Sequence, residues 1–321
     1  MNSQLLQYLK KRVSHQHLSK RLKRQINRYD DTFYNRFRLY RQNFKYSSTI
    51  LKHILYAFGL LEKGRRNSLD LRIEKRTIFF DDLPPDFDGL RLLQLSDIHI
   101  DAMIDSGAHL KRTIAQQDFD LCVITGDFHS RTFSVNGRSH AKMADLASVL
   151  NCKYGIFGVL GNHDYIESTF YLEKMGIRIL LNENIVLEHG QSKLWLVGTD
   201  DVYYYKTDDL TKALQRIPHS DFKIMLAHSA ELVIKAHQCG MRYYICGHTH
   251  GGQICLPGGI PIITNTSGRR KFVSGLWRYK QMRGYTSRGT GSSGLQVRFN
   301  CPPEITIHVL KNSTSFTGNR K

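Results

Sequence analysis

The sequence predicts an α/β fold, in which a partly parallel β-sheet is layered with helices, preceded by a basic helical segment. From about residue 70, short apolar runs alternate with amphipathic stretches, which is typical of α/β layering. Turn-forming residues separate these runs. The charge is uneven as well: of the formal net charge of +18, residues 1–66 carry +13. We therefore expect a basic amphipathic segment over residues 1–70 and a globular domain over residues 71–321.

Composition excludes several classes of protein. With 41% hydrophobic and 11% aromatic residues, the chain can form a core and is neither disordered nor collagen-like. Its six cysteines are too sparse for a disulfide framework, and no pair is spaced C-x-x-C as in many zinc and redox sites. We expect free thiols in a reducing compartment.

The basic segment carries an apolar face at helical spacing. Intervals of three and four residues separate Leu18, Leu22, Ile26, Tyr29, Phe33, Phe37, Tyr40 and Phe44, and cations lie between them. We expect Asp30 to Thr32, which favour helix N-caps, to divide this helix. One interpretation is that residues 1–62 lie on an anionic membrane surface. The other is that the face packs on the protein's own body and the cations are solvated.

The segment is predicted neither as a signal peptide nor as a membrane span. Its positive start is followed by no apolar region with a cleavage site. The most apolar stretch, residues 50–61, contains about 12 residues where a span needs about 20.

Strands and helices are predicted along the rest of the chain. Strands are expected at residues 72–80, 90–96, 119–125, 153–160, 177–181, 193–198, 222–227, 241–246, 260–264, 295–300 and 304–310. Helices are expected at residues 106–117, 139–150, 166–175, 208–216 and 230–238.

Five of the predicted strands end in polar residues that can bind a metal. These ends carry Asp97 and His99, Gly126-Asp127, Gly161-Asn162-His163-Asp164, His228, and Gly247-His248-Thr249-His250. Functional residues of open α/β sheets gather at the carboxyl ends of strands, so the five ends could form one cleft. Mixed nitrogen and oxygen ligands without thiolate suit Mn, Fe, Zn or Ni.

Taken together and in this order, the five blocks resemble the calcineurin-like metallophosphoesterases. The resemblance extends from about residue 75 to 310 and implies that family's four-layer sandwich of two mixed sheets flanked by helices. The stretch Gly247 to Pro257, with Pro303-Glu304-Ile305, is similar to a bacterial branch of membrane-associated phosphoesterases. That branch includes a UDP-2,3-diacylglucosamine pyrophosphatase of lipid A synthesis. Many of its members begin with a transmembrane helix, which the basic segment replaces here.

The resemblance implies a role for each site residue. One metal ion would be held by Asp97, His99, Asp127 and His250, and the other by Asp127, Asn162, His228 and His248. His163 would be the acid near the leaving-group oxygen, and Asp164 would orient its imidazole. Two ions about 3.5–4 Å apart lower the pKa of a shared water and clamp phosphoryl oxygens during in-line attack. We expect Mn foremost, with Fe, Zn or Ni as alternatives.

The expected activity is metal-dependent hydrolysis of a phosphodiester or pyrophosphate. The sharpest hypothesis is cleavage of UDP-2,3-diacylglucosamine by a cytoplasmic enzyme on the inner face of the cytoplasmic membrane. A general phosphodiesterase, a nuclease whose basic arm binds nucleic acid, and a non-catalytic scaffold are the alternatives. Arg269 and Arg270 are candidate phosphate contacts, and Tyr203 to Tyr205 form either a substrate wall or an ordinary strand edge.

Overall fold

The computed structural model describes residues 3–34, 44–130, 137–264, 266 and 270–313. Two six-stranded mixed β-sheets pack face to face, and helices cover the outer face of each sheet. This arrangement confirms the predicted α/β class and the four-layer sandwich.

The first sheet supplies three of the five functional strand ends. Numbered along the chain, its strands are β1 (Arg72–Phe80), β2 (Arg91–Leu95), β3 (Leu121–Ile124), β4 (Ile156–Gly158), β5 (Ile177–Ile179) and β14 (Glu304–Asn312). Their spatial order is β1-β14-β2-β3-β4-β5. Strands β2 to β5 are parallel, so their carboxyl ends meet at one edge, while β14 runs antiparallel to β2.

The second sheet supplies the other two ends. Its strands are β6 (Glu183–His189), β7 (Ser192–Gly198), β8 (Lys223–Leu226), β9 (Tyr243–Cys246), β12 (Gly275–Tyr279) and β13 (Met282–Thr286). Their order is β12-β13-β9-β8-β7-β6, with β7, β8, β9 and β13 parallel. A small hairpin, β10 (Cys255–Leu256) and β11 (Ile260–Pro261), stands apart from both sheets.

Several strand predictions need correction. The sequence missed β6, β10, β12 and β13, and the strand expected at residues 260–264 is only Ile260–Pro261. The strand expected at residues 295–300 is wrong. That segment forms a loop around the buried Arg298, whose guanidinium donates to main-chain oxygens of Arg288 and Cys301.

The core between the sheets explains why the central strands are so apolar. Both faces of a parallel strand in a layered α/β protein are covered, so nearly continuous apolar runs are required. Residues from the two sheets form one buried cluster, which includes Leu92, Val123, Leu196, Ile224 and Ile245.

Nine helices are found among the described residues. They are α1 (Ser3–Arg12), α2 (His15–Tyr34), α3 (Phe44–Ala57), α4 (Leu61–Asn67), α5 (Ala108–Ile114), α6 (Gly137–Ala147), α7 (Ser168–Lys174), α8 (Leu210–Ala213) and α9 (Val233–Gln238). The last five overlap the five predicted helices, and α5 to α7 contribute to the outer cluster of the first sheet. The side chains of α8 and α9 pack on the outer face of the second sheet.

The first two helices pack on the body of the protein. Leu5, Leu9 and Leu18 are buried in the same cluster as the first sheet, and Leu22 packs against it. Arg12 forms ion pairs with Glu173 and Glu183 of the body. For this part of the basic segment, packing on the protein itself replaces the membrane interpretation.

The rest of the predicted apolar face is only partly described. Ile26 is exposed, and α2 continues without interruption through residues 30–32, so the expected division of the helix there is wrong. Phe37 and Tyr40 lie outside the described residues, as do the side chains of Tyr29, Phe33 and Phe44.

Two further expectations concern cysteines and membrane spans. All six cysteines are unpaired, as predicted. None of the helices within the described ranges combines the length and apolarity needed to cross a bilayer.

We expect Leu9→Ala to lower the free energy of unfolding by about 2–5 kcal/mol, because it leaves a cavity beneath α1 in the cluster shared with the first sheet. Chemical denaturation followed by circular dichroism measures this change. Gln7→Ala, at an exposed position of the same helix, is the control and should change stability by less than about 0.5 kcal/mol. Equal stability of the two variants would show that α1 is not docked.

Candidate metal centre

The five predicted strand ends meet in the seam between the two sheets. Asp97 and His99 follow β2, Asp127 follows β3, and Asn162 lies in the loop after β4. His228 follows β8, while His248 and His250 follow β9. All seven side chains are buried, so the sheets bring together residues far apart in sequence and remove them from bulk water.

The first cluster contains Asp97, His99 and His250, whose ligand atoms lie within 4.8 Å of one another. His99 Nε2 is 3.3 Å from His250 Nε2, and His250 Nε2 is 3.5 Å from Asp97 Oδ1. Two imidazole nitrogens and a carboxylate oxygen converge here, a set suited to a divalent transition metal.

The second cluster shares Asp97 and adds Asp127 and His228. His228 Nε2 lies 3.3 Å from Asp127 Oδ2, 2.9 Å from Asn162 Oδ1 and 3.2 Å from His248 Nδ1. Asp127 Oδ2 is also 3.9 Å from His99 Nε2. The Asp127 carboxylate therefore lies near imidazoles of both clusters.

The backbone of the site is strained. Asp97, His99, Asp127, His248 and His250 all have positive φ, between 47° and 74°. Non-glycine residues rarely adopt this left-handed region, and such strain persists only where surrounding structure enforces it. Five of the seven candidate ligands are thus held in backbone conformations that turn their side chains into the seam.

Two glycines allow the loops to approach one another. A Cβ on Gly161 would lie 2.2 Å from Asp127 Oδ1, and one on Gly247 would lie 1.9 Å from Ser96 Oγ. Any larger residue would therefore push apart the loops that bring the clusters together.

Main-chain carbonyls fix the orientation of two imidazoles. His228 Nδ1 lies 2.7 Å from Thr125 O, and His99 Nδ1 lies 3.1 Å from His129 O. A carbonyl oxygen only accepts, so each Nδ1 carries a proton and each Nε2 is directed into the seam, where a bound metal ion would take its lone pair.

Burial and neighbouring charges set the protonation states. Burial raises the pKa of Asp127, but the adjacent His228 and His163 outweigh it and hold that pKa well below its ordinary value. Burial and then His99 and Arg298 lower the pKa of His250 well below its usual range. An ionised carboxylate and a neutral imidazole are the forms that bind metals.

One orphaned atom shows that these residues fit a cation. Asp97 Oδ1 is buried, yet it accepts no hydrogen bond from any residue that the structure describes. An unsatisfied buried carboxylate oxygen is costly, and a divalent metal ion would satisfy it.

His163 and Asp164 lie beside the clusters, but the contacts of Asp164 differ from the predicted role. The Asp164 carboxylate accepts hydrogen bonds from the main-chain N–H groups of Asp127, Phe128, His129 and Gly161. The His163 ring instead directs Nδ1 to Ser130 O at 2.9 Å, and its main-chain N–H donates to Asp127 Oδ1. Asp164 thus joins the β3 and β4 loops, and Ser130 orients the imidazole.

The two arginine candidates are less well placed. Arg269 lies outside the described residues. Arg270 is exposed at the start of a short turn, residues 270–272, whose neighbour Val273 accepts a hydrogen bond from Thr249 Oγ1. The turn therefore adjoins the His248–His250 loop. Among the contacts of the described residues, none joins Arg270 to a candidate ligand.

Two further residues lie near the site: Tyr203, whose role the sequence left open, and Arg298, to which the sequence assigned none. The Tyr203 ring packs on His248 with centroids 4.3 Å apart, which favours the wall interpretation for this residue. Arg298 is fully buried and places Nη2 3.4 Å from His250 Nδ1. Only its position in an apolar run, L-Q-V-R-F, hinted that this arginine is internal.

The fold and the site together define a class. Two packed mixed sheets bring carboxylates, imidazoles and an amide into two adjoining clusters, as in hydrolases that use a pair of metal ions. The model of the calcineurin-like phosphoesterase family matches residues 90–252, half of the chain. The protein belongs to this family, whose members hydrolyse phosphoesters at a dinuclear metal centre.

Curated relatives support the assignment of the chain to this family. An uncharacterized metallophosphoesterase of Bacillus subtilis, YkoQ, is 29% identical over 80% of this chain and 97% of its own length. Phosphodiesterase YaeI of Escherichia coli is 28% identical over 74% of this chain and 87% of its own. The UDP-2,3-diacylglucosamine pyrophosphatase LpxG of Chlamydia muridarum is 26% identical over 68% of this chain and 83% of its own.

We expect Asp164→Asn to weaken Mn²⁺ binding by about 10- to 100-fold, because the NH2 group of the amide, a donor, replaces one of the two carboxylate oxygens that accept main-chain N–H groups. Isothermal titration of the metal-free protein measures the dissociation constant. Asp120→Asn is the control, since Asp120 likewise accepts a main-chain N–H, from Arg91, and is not part of the site. Unchanged affinity in Asp164→Asn would show that the loops hold their positions without this carboxylate.

Proposed function

We propose that the two clusters bind a pair of divalent metal ions. Asp97, His99, Asp127 and His250 hold one ion, and Asp127, Asn162, His228 and His248 hold the other. The position of Asp127 Oδ2, 3.3 Å from His228 Nε2 and 3.9 Å from His99 Nε2, is the observation that carries this assignment. When bound, such ions, with manganese as the preferred metal, would supply the positive charge that lowers the pKa of water and neutralises phosphoryl oxygens.

His163 is proposed as the general acid. Its Nδ1 proton is directed to Ser130 O, and its ring lies 5.1 Å, centroid to centroid, from that of His99. With Nδ1 so oriented, Nε2 of this half-buried ring is the proposed donor of a proton to the leaving-group oxygen. An imidazole suits this role because its ordinary pKa lies near neutrality.

The proposed substrate is a lipid-linked pyrophosphate, UDP-2,3-diacylglucosamine, cleaved to 2,3-diacylglucosamine 1-phosphate and UMP. The name of the relative LpxG supports this choice, and the name of YaeI keeps a general phosphodiesterase as the alternative. A second support is an exposed apolar surface on the chain itself.

This apolar surface lies on α3 and the turn after it. Ile50, Ile54 and Phe58, at intervals of four residues, are 60%, 48% and 75% exposed, and Tyr56 is 75% exposed. Leu55, on another face of the helix, is buried against Val297. An apolar helix face of this kind can enter a lipid surface.

The charges beside this surface favour anionic lipid. Lys52, Lys63, Arg65 and Arg66 are exposed, while Glu62 is the one acidic residue between positions 49 and 69 of the sequence. Basic residues next to an apolar face are attracted to anionic headgroups. We therefore propose a peripheral enzyme on the cytoplasmic face of the membrane.

With Mn²⁺ added, the protein should hydrolyse bis(4-nitrophenyl) phosphate, and His163→Ala should lower kcat by about 10²- to 10⁴-fold because the proton donor is lost. Absorbance of nitrophenolate measures turnover, and titration should show unchanged Mn²⁺ affinity. His53→Ala, an exposed histidine of α3, is the control. Full activity in His163→Ala would contradict its role as the acid.

Removing both acyl chains from the nucleotide-linked sugar should lower kcat/KM by at least about tenfold, since burial of apolar chains contributes about 25 cal/mol per Å². Release of UMP measures cleavage in anionic vesicles. Ile54→Ser with Phe58→Ser should slow cleavage of the acylated substrate and leave the nitrophenyl substrate unaffected. Ile234→Ser, an exposed apolar position on α9, is the control. Indifference to the acyl chains would favour a general phosphodiesterase.

A further inference from the structure

A charged side chain of α2 lies inside the protein, against two loops next to the candidate metal centre. Arg21 is fully buried. Its Nη1 lies 3.0 Å from Asp200 Oδ1, and its guanidinium carbon lies 3.5 Å from the ring centroid of Tyr205. Its Nη2 donates a hydrogen bond of 2.9 Å to the main-chain oxygen of Asp164. One planar guanidinium therefore contacts two separate loops.

The first of these loops, residues 161–166, carries Asn162 and His163. Arg21 binds its backbone at Asp164, whose carboxylate accepts the N–H groups of Asp127 and Gly161. Gln25, one turn further along α2, accepts the N–H of Ile166 at 2.9 Å. Side chains on two consecutive turns of α2 therefore hold this loop in position.

The second loop, residues 199–207, faces His248. Asp200 Oδ2 lies 2.8 Å from His17 Nε2 and accepts the Thr207 hydroxyl at 2.7 Å. The neighbouring Asp201 carboxylate accepts the N–H groups of Tyr203 to Tyr205. These contacts position Tyr203, whose ring packs on His248.

The cost of this arrangement indicates that its geometry matters. Arg21 and Asp200 are both without exposure, and removing two charges from water costs several kcal/mol per ion. An apolar pair of the same volume often stabilises a fold equally well. A planar guanidinium, however, can face two different groups at once, here pairing with Asp200 and donating to the Asp164 backbone, which an apolar side chain does not do.

We propose that Arg21 is a positioning residue, through which α2 holds the Asn162–His163 loop and the Tyr203 loop at the spacing required for metal binding. The inference rests on the proposed assignment of Asn162 and His248 as ligands. Arg21 contacts neither substrate nor metal and acts through the backbone of Asp164 and through Asp200.

The test uses the full chain carrying Arg21→Met together with Asp200→Asn, so that no buried charge is left without its partner. We expect the Mn²⁺ dissociation constant to rise by about 10- to 100-fold, the range typical of residues that orient metal ligands. The kcat/KM for bis(4-nitrophenyl) phosphate should fall by a similar factor. In the metal-free protein, amide hydrogen exchange should accelerate at residues 161–166 and 199–207.

The matched control is Arg12→Met with Glu183→Gln, which removes an ion pair of α1 with the body. Arg12 contacts neither loop in the observed bonds, so Mn²⁺ affinity should stay within about twofold of wild type even where the melting temperature falls. If the double variant fails to fold, Arg21→Lys keeps the charge beside Asp200 but lacks the fork, and about tenfold weaker Mn²⁺ binding is expected.

Three results would overturn the proposal. The first is a folded test variant whose Mn²⁺ affinity and amide hydrogen exchange in the two loops match those of wild type. The second is a loss of Mn²⁺ affinity in the control variant as large as that in the test variant. The third, where Arg21→Lys replaces the test variant, is wild-type Mn²⁺ affinity in Arg21→Lys. Failure of the wild-type protein to bind Mn²⁺ would overturn the metal assignment itself. Amide hydrogen exchange is measured on the metal-free protein. It therefore reports whether Arg21 positions the loops even if the wild-type protein does not bind Mn²⁺.

Discussion

Burial of two carboxylates among four imidazoles, in the seam between two sheets, is the constraint on which the rest of this structure depends. Asp97 and Asp127 belong to overlapping clusters, and both are removed from water. Such groups are stable only when oriented donors or cations compensate them. The fold provides this compensation by bringing the carboxyl ends of parallel strands from both sheets together, where main-chain N–H groups and imidazoles converge. The left-handed backbone at five candidate ligands is a consequence, because the chain must turn sharply at each strand end to aim its side chain inward.

Much of this could be predicted from the sequence, for identifiable reasons. A parallel strand buried on both faces must be apolar, and its polar terminus then stands out; this is why the blocks at Asp97 and His248 were found. The strands β12 and β13 were missed because Arg278, Lys280 and Arg283 interrupt their apolar pattern around a tight hairpin. The apolar run at residues 295–300 led to the prediction of a strand that does not form. Its residues surround a buried guanidinium and, within the described structure, pair with no long strand.

The sequence also could not show what covers an amphipathic helix. Helical periodicity identifies a face, but an apolar face packs equally well on lipid or on protein. Leu18 and Leu22 of α2 resemble the exposed Ile50 and Ile54 of α3 in spacing and in basic surroundings, yet only the former pair joins the core. The difference lies in partners distant in sequence. Acidic side chains such as Glu173 and Glu183 lie where α1 docks, and periodicity contains no information about them.

Within the described part of the N-terminal segment, basic side chains occur in two different environments. Arg12 of α1 and Arg21 of α2 pair with acids of the body, and Arg21, the more buried of the two, is inaccessible to any substrate or surface. Its influence on chemistry has to pass through the backbone it holds. Cations near α3 and α4 are exposed beside an apolar surface and can act on a partner only by direct attraction, which salt screens. A high salt concentration should therefore weaken the attraction between the exposed cations and a partner. It should leave the fully buried ion pair of Arg21 nearly unaffected.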